Sequence, residues 1–275
     1  MSTLTNVGAD DSVRVDAASL SDRAKARMQR TPGEPLFVAD WDRVLMIHFA
    51  VDAKRLQHDV PFELDLRDGL AFVSLVAFTM RGMRPALGGC LTSWMFRPIA
   101  THDLLNVRTY VRTGGEAGIH FLAEWVSSRL ALALGPISFS LPYRLGRIDY
   151  HNDWKLGALF GRVEDAATDA VFSYRAELEA NAGFTECERG SLDEWLMERY
   201  SAYNSARDRK KYFRVWHEPW RQCKARVDMT NATSLGANWK WLTQAEWIGA
   251  NYSPGLRDVW LGRPHRIKSS CRSSC

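Results

Sequence analysis

Residues 104–126 carry the clearest alternation of apolar and polar positions in the chain. In LLNVRTYV, Leu105, Val107, Thr109 and Val111 fall on one face of a strand, and Asn106, Arg108 and Tyr110 fall on the other. After the glycine-rich break RTGGEAG, IHFLAEWV puts His120 and Glu124 on one face and Ile119, Phe121, Ala123 and Trp125 on the opposite one. A period of two predicts two half-buried strands joined as a hairpin. An even register sum gathers Asn106, Arg108, Tyr110, His120 and Glu124 on one side. Solvated sheet faces favour Lys, Glu and Thr, so this mixture reads as the lining of a polar pocket. An exposed face with an internal Arg–Glu pair is the competing reading.

Further strand-like runs lie at 44–51, 70–80, 130–140, 145–150 and 170–178. Asp52 is placed to N-cap a short helix through His58 that stops before Pro61. Gly82, Pro85, Gly88 and Gly89 mark a long loop over 81–100. Ser191 and Glu194 form a capping box that opens a helix along LDEWLMERYSAY, with Trp195, Leu196, Tyr200 and Tyr203 spaced for one face. Residues 1–34 read as a mobile or loosely docked N-terminal arm. Within it, 18–30 form a basic helix (Arg23, Lys25, Arg27, Arg30), with a partner-binding helix as the alternative. Residues 35–265 read as a single domain and 266–275 as a disordered tail. Many strands, few helices and no βαβ rhythm predict an α+β, mainly antiparallel β architecture. A curved sheet or barrel with peripheral helices fits that pattern.

Composition narrows the function classes. A chain of 275 residues, 46% hydrophobic and 25% charged, can bury a sizeable core. Its net charge of +4 is too balanced to imply nucleic acid. The apolar run from Gly69 to Met80 is too short to span a membrane, and the N-terminus lacks a signal pattern. A cytoplasmic location away from membranes is therefore expected. Five cysteines, an odd and scattered set, argue against a disulfide framework; Cys271 and Cys275 read as a frayed terminus rather than a metal or redox pair. The histidines lack ligand spacing, and His102-Asp103 would need a third ligand from elsewhere, so neither metal nor cofactor is expected. The phosphate-loop, dinucleotide, serine-elbow and H-E-x-x-H motifs do not occur. Of eleven tryptophans, seven follow residue 190, and they read as core more readily than as pocket lining. The run Arg207–Lys211 reads as a solvated loop, with steering of an anionic partner as the alternative.

Read in order, WDRVLMIHFAVDAKRLQHDVPFELDLRDGLAFVSLVAF, LLNVRTYV, GIHFLAEWV, GPISFSLPYRLGRIDY and ERYSAYN…FRVWHEPW resemble the YqjF-like family of uncharacterised conserved proteins, a domain of unknown function. That family is distantly similar to acetoacetate decarboxylase. The resemblance implies a β barrel or cone with helices outside and a ligand pocket inside, and superfamily relatives often form homo-oligomers. The decarboxylase carries adjacent lysines after a proline, one of which forms a Schiff base. Here the similar stretch reads Leu141-Pro142-Tyr143-Arg144, which aligns Tyr143 with the nucleophile and Arg144 with its neighbour. A phenol forms no imine. The superfamily's glutamate before the asparagine position is also replaced, by Leu104. Both departures count against Schiff-base decarboxylation.

Arg108 and Arg144 are then candidates to clamp a carboxylate or enolate, with Asn106, Tyr110 and His120 beside them. Tyr143 is the candidate proton donor and Glu124 the candidate base. Three readings stay open: binding of a small anionic organic molecule, lyase, hydratase or isomerase chemistry without a Schiff base, and a structural or interaction protein with a closed core.

Overall fold

The computed structural model describes residues 18–88, 94, 96–179, 183–206, 209–230, 235–236 and 239–267, with only the backbone at 134–138. The expectations for Cys271, Cys275 and most of the tail lie outside these residues. In chain order the strands are β1 (Phe37–Val51), β2 (Glu63–Leu64), β3 (Ala71–Pro85), β4 (His102–Thr113), β5 (Glu116–Val126), β6 (Tyr143–Asp153) and β7 (Ala158–Asp165). They continue as β8 (Val171–Leu178), β9 (Thr185–Glu186), β10 (Ser201–Ala206), β11 (Arg209–Trp216), β12 (Arg221–Thr230), β13 (Glu246–Leu261) and β14 (His265–Arg266). The helices are α1 (Leu20–Gln29), α2 (Ala53–Gln57), α3 (Arg129–Phe139) and α4 (Leu192–Met197).

The sheet is mainly antiparallel; among the described residues only β5–β6 and β5–β10 pair in parallel. Strands β5-β6-β7-β8-β12-β13-β1-β3-β4 follow one another, and β4 pairs back with β5, so the path closes on itself. Strands β10 and β11 provide a second route from β5 to β13. Strands β1, β3 and β4 belong to both circuits, and each has core on both faces. Leu45, Leu75 and Val107 join Val163, Phe172 and Val227 in one cluster. Met46, Val76 and Leu104 join Leu196, Phe213 and Val215 in the other. This explains why 44–51 and 71–80 are buried throughout and read as near-continuous apolar runs, as strands covered on both faces do.

Two of the expected elements are different. The run 130–140 is helix α3, not a strand. Ser128 caps it: Oγ accepts from Ala131 N at 3.2 Å and the carbonyl from Leu132 N at 3.0 Å. The Leu-Ala repeat is a strong helix former, and that propensity outweighs its period of two. The helix opened by Ser191 stops at Met197, and Tyr203 lies in β10. Residues 201–206 pair with β11 and 202–203 with β5, which the local helical spacing does not reveal. Gly118 permits this approach, since a Cβ there would sit 2.5 Å from the Ser201 carbonyl oxygen. The hairpin between β4 and β5 closes through Gly114-Gly115, both at positive φ, the backbone a two-residue turn demands.

Helix α1 lies against β11. Its Ser19–Asp22 capping box fixes the start, Met28 is fully buried, and Ser21 Oγ donates to the His217 carbonyl at 2.6 Å. No helix among the described residues is long and apolar enough to cross a membrane.

Candidate ligand site

The β4–β5 hairpin contains an irregularity that decides which side chains meet. Asn106 pairs with Glu124 and Val107 with Ala123; the register then shifts, so that Arg108 faces Phe121, Thr109 faces His120 and Tyr110 faces Ile119. Leu122 is the extra residue. Such a bulge reverses the in–out alternation beyond it. Glu124 therefore shares its face with Phe121 and Ile119. His120 points to the other side, its ring 5.3 Å from Phe62 and its Nδ1 2.8 Å from the Tyr203 carbonyl oxygen. The expected five-residue cluster thus loses His120.

Asn106, Arg108, Glu124 and Tyr143 line a single cavity of about 350 Å³, in the size range of small-molecule sites. Its walls are mostly apolar. Register places Met46, Val76, Asn106, Glu124 and Tyr143 on one level across five strands. Tyr110 has the same facing but lies beside the cavity, its ring 4.8 Å from Trp195. Its hydroxyl is 2.6 Å from Ser74 Oγ, which is 2.7 Å from His48 Nδ1. Arg144 does not converge with Arg108. It sits over Trp125, whose face is the opposite one, 3.9 Å from Asp165 and with its side chain 44% exposed.

The second arginine at the cavity is Arg199, which follows α4. Its Nη1 meets Asp65 Oδ2 at 2.7 Å, and Arg112 takes Asp65 Oδ1 at 2.9 Å. One carboxylate thus serves two guanidiniums, and Arg108 has none. Arg108 is 7% exposed; its Nη2 reaches the Leu196 carbonyl at 3.3 Å and Met46 Sδ at 3.5 Å, and Nε has no partner. Among the described residues no ion pair includes it. The Arg–Glu pair of the competing reading does not form between Arg108 and Glu124. Glu124 is buried with Oε2 unpartnered among the described residues, and burial pushes its carboxyl well above the usual range, favouring the protonated form. Tyr143 is likewise pushed up, first by burial and then by Glu124.

Sequence reasoning missed Arg199, His102 and His217 as lining residues. Burial lowers the pKa of both histidines, which favours the neutral ring. Arg199 carries no local signal, because its partner Asp65 is remote in the chain and the helix before it reads as longer than it is. The described lining residues include no lysine, and Tyr143 stands at the cavity wall. Among the described residues no group of three or more His, Cys, Asp or Glu is arranged to hold a metal ion.

The family described as "Uncharacterized conserved protein (COG2071)", DUF2071, matches residues 38–256. The chain belongs to this family. Within the curated proteins it is 29% identical over 207 residues to "Uncharacterized protein YqjF" of Bacillus subtilis (strain 168), covering 72% of this chain and 79% of that protein. The fold is that of acetoacetate decarboxylase-like proteins. An acetoacetate decarboxylase-like enzyme from Sphingomonas wittichii RW1 superposes with a TM-score of 0.57 at 16% identity, covering 86% of this chain and 94% of that one. Acetoacetate decarboxylase from Legionella pneumophila gives 0.59 at 11%, covering 88% and 94%. The enduracididine biosynthesis enzyme MppR, complexed with pyruvate, gives 0.59 at 10%, covering 86% and 91%.

Proposed function

We propose that this member of the DUF2071 family binds a small organic anion in the cavity, with Arg108 as its charge partner. The observation that carries the reading is a buried guanidinium with no carboxylate partner among the described residues. Burying an unpaired charge is costly, and an anionic ligand supplies the missing partner through charge-assisted hydrogen bonds. Arg199 adds a further guanidinium whose Nη2 lacks a partner. Asn106 Oδ1 is also unpartnered and buried, which suits a ligand that donates a hydrogen bond as well. MppR, a structural neighbour, is described in complex with pyruvate, a small carboxylate.

A titration of the purified protein with small carboxylates, beside native mass spectrometry for a co-purified acid, tests this. Arg108→Met is expected to lose about 2–5 kcal/mol of affinity while the unliganded fold keeps its stability. Arg144→Ala is expected to bind as the parent does. Unchanged affinity in Arg108→Met together with a weakened fold would assign Arg108 a structural role and end the proposal.

Glu124 and Tyr143 favour a second reading, proton-transfer chemistry of the lyase, hydratase or isomerase kind. A carboxyl whose pKa burial raises and a phenol stand side by side at the cavity wall, both placed to exchange a proton with a ligand. Exchange of solvent deuterium into a bound acid, lost in Glu124→Gln, is the expected sign.

A further inference from the structure

The cavity has an order along its length. Strand register sets it out in levels. Arg108 and Ser74 are paired at one end. Asn106, Val76 and Glu124 come next, then Leu104 with Phe78, then His102 with Met80 and Trp41. Met83, Phe37 and Phe96 follow, with the Phe37 and Phe96 rings 5.5 Å apart. At the usual rise per strand residue, the stretch of β4 from Arg108 to His102 measures roughly 20 Å. Both lining arginines are gathered at the first end, and their guanidiniums flank the Tyr110 ring at 6.0 and 5.1 Å. The far end holds no charged side chain among its described lining residues. Its polar groups are two rings: His102, held by the Ile99 carbonyl through Nδ1 at 3.0 Å, and the Trp41 indole on the same level, both neutral groups rather than a charge partner.

We infer that the ligand of this site is a monocarboxylic acid with an extended apolar tail, its carboxylate at Arg108 and its tail running past Leu104 and Phe78 toward Met80. The inference rests on the anion-binding reading above and adds the class of molecule. A short polar acid would satisfy Arg108 but leave the Phe78, Leu104 and Met80 levels uncovered. A dicarboxylate would bring a second charge to the far end, where the described lining residues offer no cation. A neutral lipid would cover the walls and leave the arginine unpaired.

The test is a calorimetric titration of the whole chain with acetate, butyrate, hexanoate and octanoate, beside octanol and the dicarboxylate suberate. Affinity is expected to rise about fourfold for each methylene that enters the apolar section, the usual gain for burying one. Octanol and suberate are expected to bind at least tenfold more weakly than octanoate. Phe78→Ser is expected to cost octanoate about tenfold and acetate little. The ligand series needs only the parent protein, so a variant that fails to fold does not decide the matter. Equal affinity along the series, abolished in Arg108→Met, would overturn the tail and leave the anion reading standing. Octanol binding as well as octanoate, with Arg108→Met unaffected, would overturn both. Suberate matching octanoate would place a second cation at the far end and overturn the monocarboxylate class.

Discussion

Asn106 and Glu124 stand directly opposite each other across β4 and β5, and neither Asn106 Oδ1 nor Glu124 Oε2 has a hydrogen-bond partner among the described residues. Two buried polar atoms on one level of an otherwise apolar wall are costly unless something else satisfies them. Arg108, two residues along the same strand, has the same problem in charged form.

Glu124 should make stability fall with rising pH. Its folded carboxyl holds its proton above the ordinary value of 4.5, because burial disfavours the anion. The folded state then binds more protons than the unfolded one, so its contribution is full below 4.5 and is lost as pH rises through the raised value. Glu124→Gln should melt close to the parent near pH 4 and progressively above it as pH rises. A melting difference independent of pH would show that Glu124 does not titrate in this way.

His48 should act in the opposite direction. Burial is the main cause that lowers its pKa from 6.5 to about 3, and the nearby Arg108 charge adds to it. The neutral ring's contribution is full above 6.5 and is lost as pH falls toward 3. His48→Asn keeps a polar group near Ser74 and removes the titration. Urea unfolding at a series of acidic pH values should show a flatter loss of stability in the variant than in the parent; matching slopes would count against this assignment.

Asp65 is the carboxylate that keeps Arg199 and Arg112 compatible. Replacing it with Asn strands the buried Arg199 guanidinium and should destabilise the fold by about 3–5 kcal/mol. The exposed pair of Arg257 with Asp40 gives the contrast: Asp40→Asn should cost at most about 1 kcal/mol. Chemical denaturation of both variants measures the difference, and comparable costs would mean that burial does not govern these pairs.

Ser21 ties α1 to the end of β11 through the His217 carbonyl, and Trp216 Nε1 donates to the same hydroxyl at 3.1 Å. Ser21→Ala removes both contacts from a buried position and should cost about 1–3 kcal/mol. Hydrogen exchange should localise the loss to α1 and β11; a global loss with no local opening would contradict a discrete latch.

The alternation in 104–111 was enough to put Asn106, Arg108 and Tyr110 on one face, because a strand's period of two is local. The Gly114-Gly115 turn and the Ser191 N-cap were legible for the same reason: each depends on residues a few positions apart, although Glu194 reaches back to the Gly190 N–H rather than to Ser191. The resemblance carried by NVRTYV and LPYR reached the family and the fold class. The tertiary structure decided the rest. Leu122 looks like any strand residue until β5 pairs with β4, yet its bulge turns His120 away and leaves Glu124 facing the cavity. Arg144 and Arg199 are both ordinary arginines in the chain. One sits on a face already filled by Trp125, and the other is drawn in by Asp65, remote in sequence. Side-chain facing follows from local geometry, but the closing of a cavity and the pairing of its charges depend on strands and carboxylates that meet only when the whole sheet has closed.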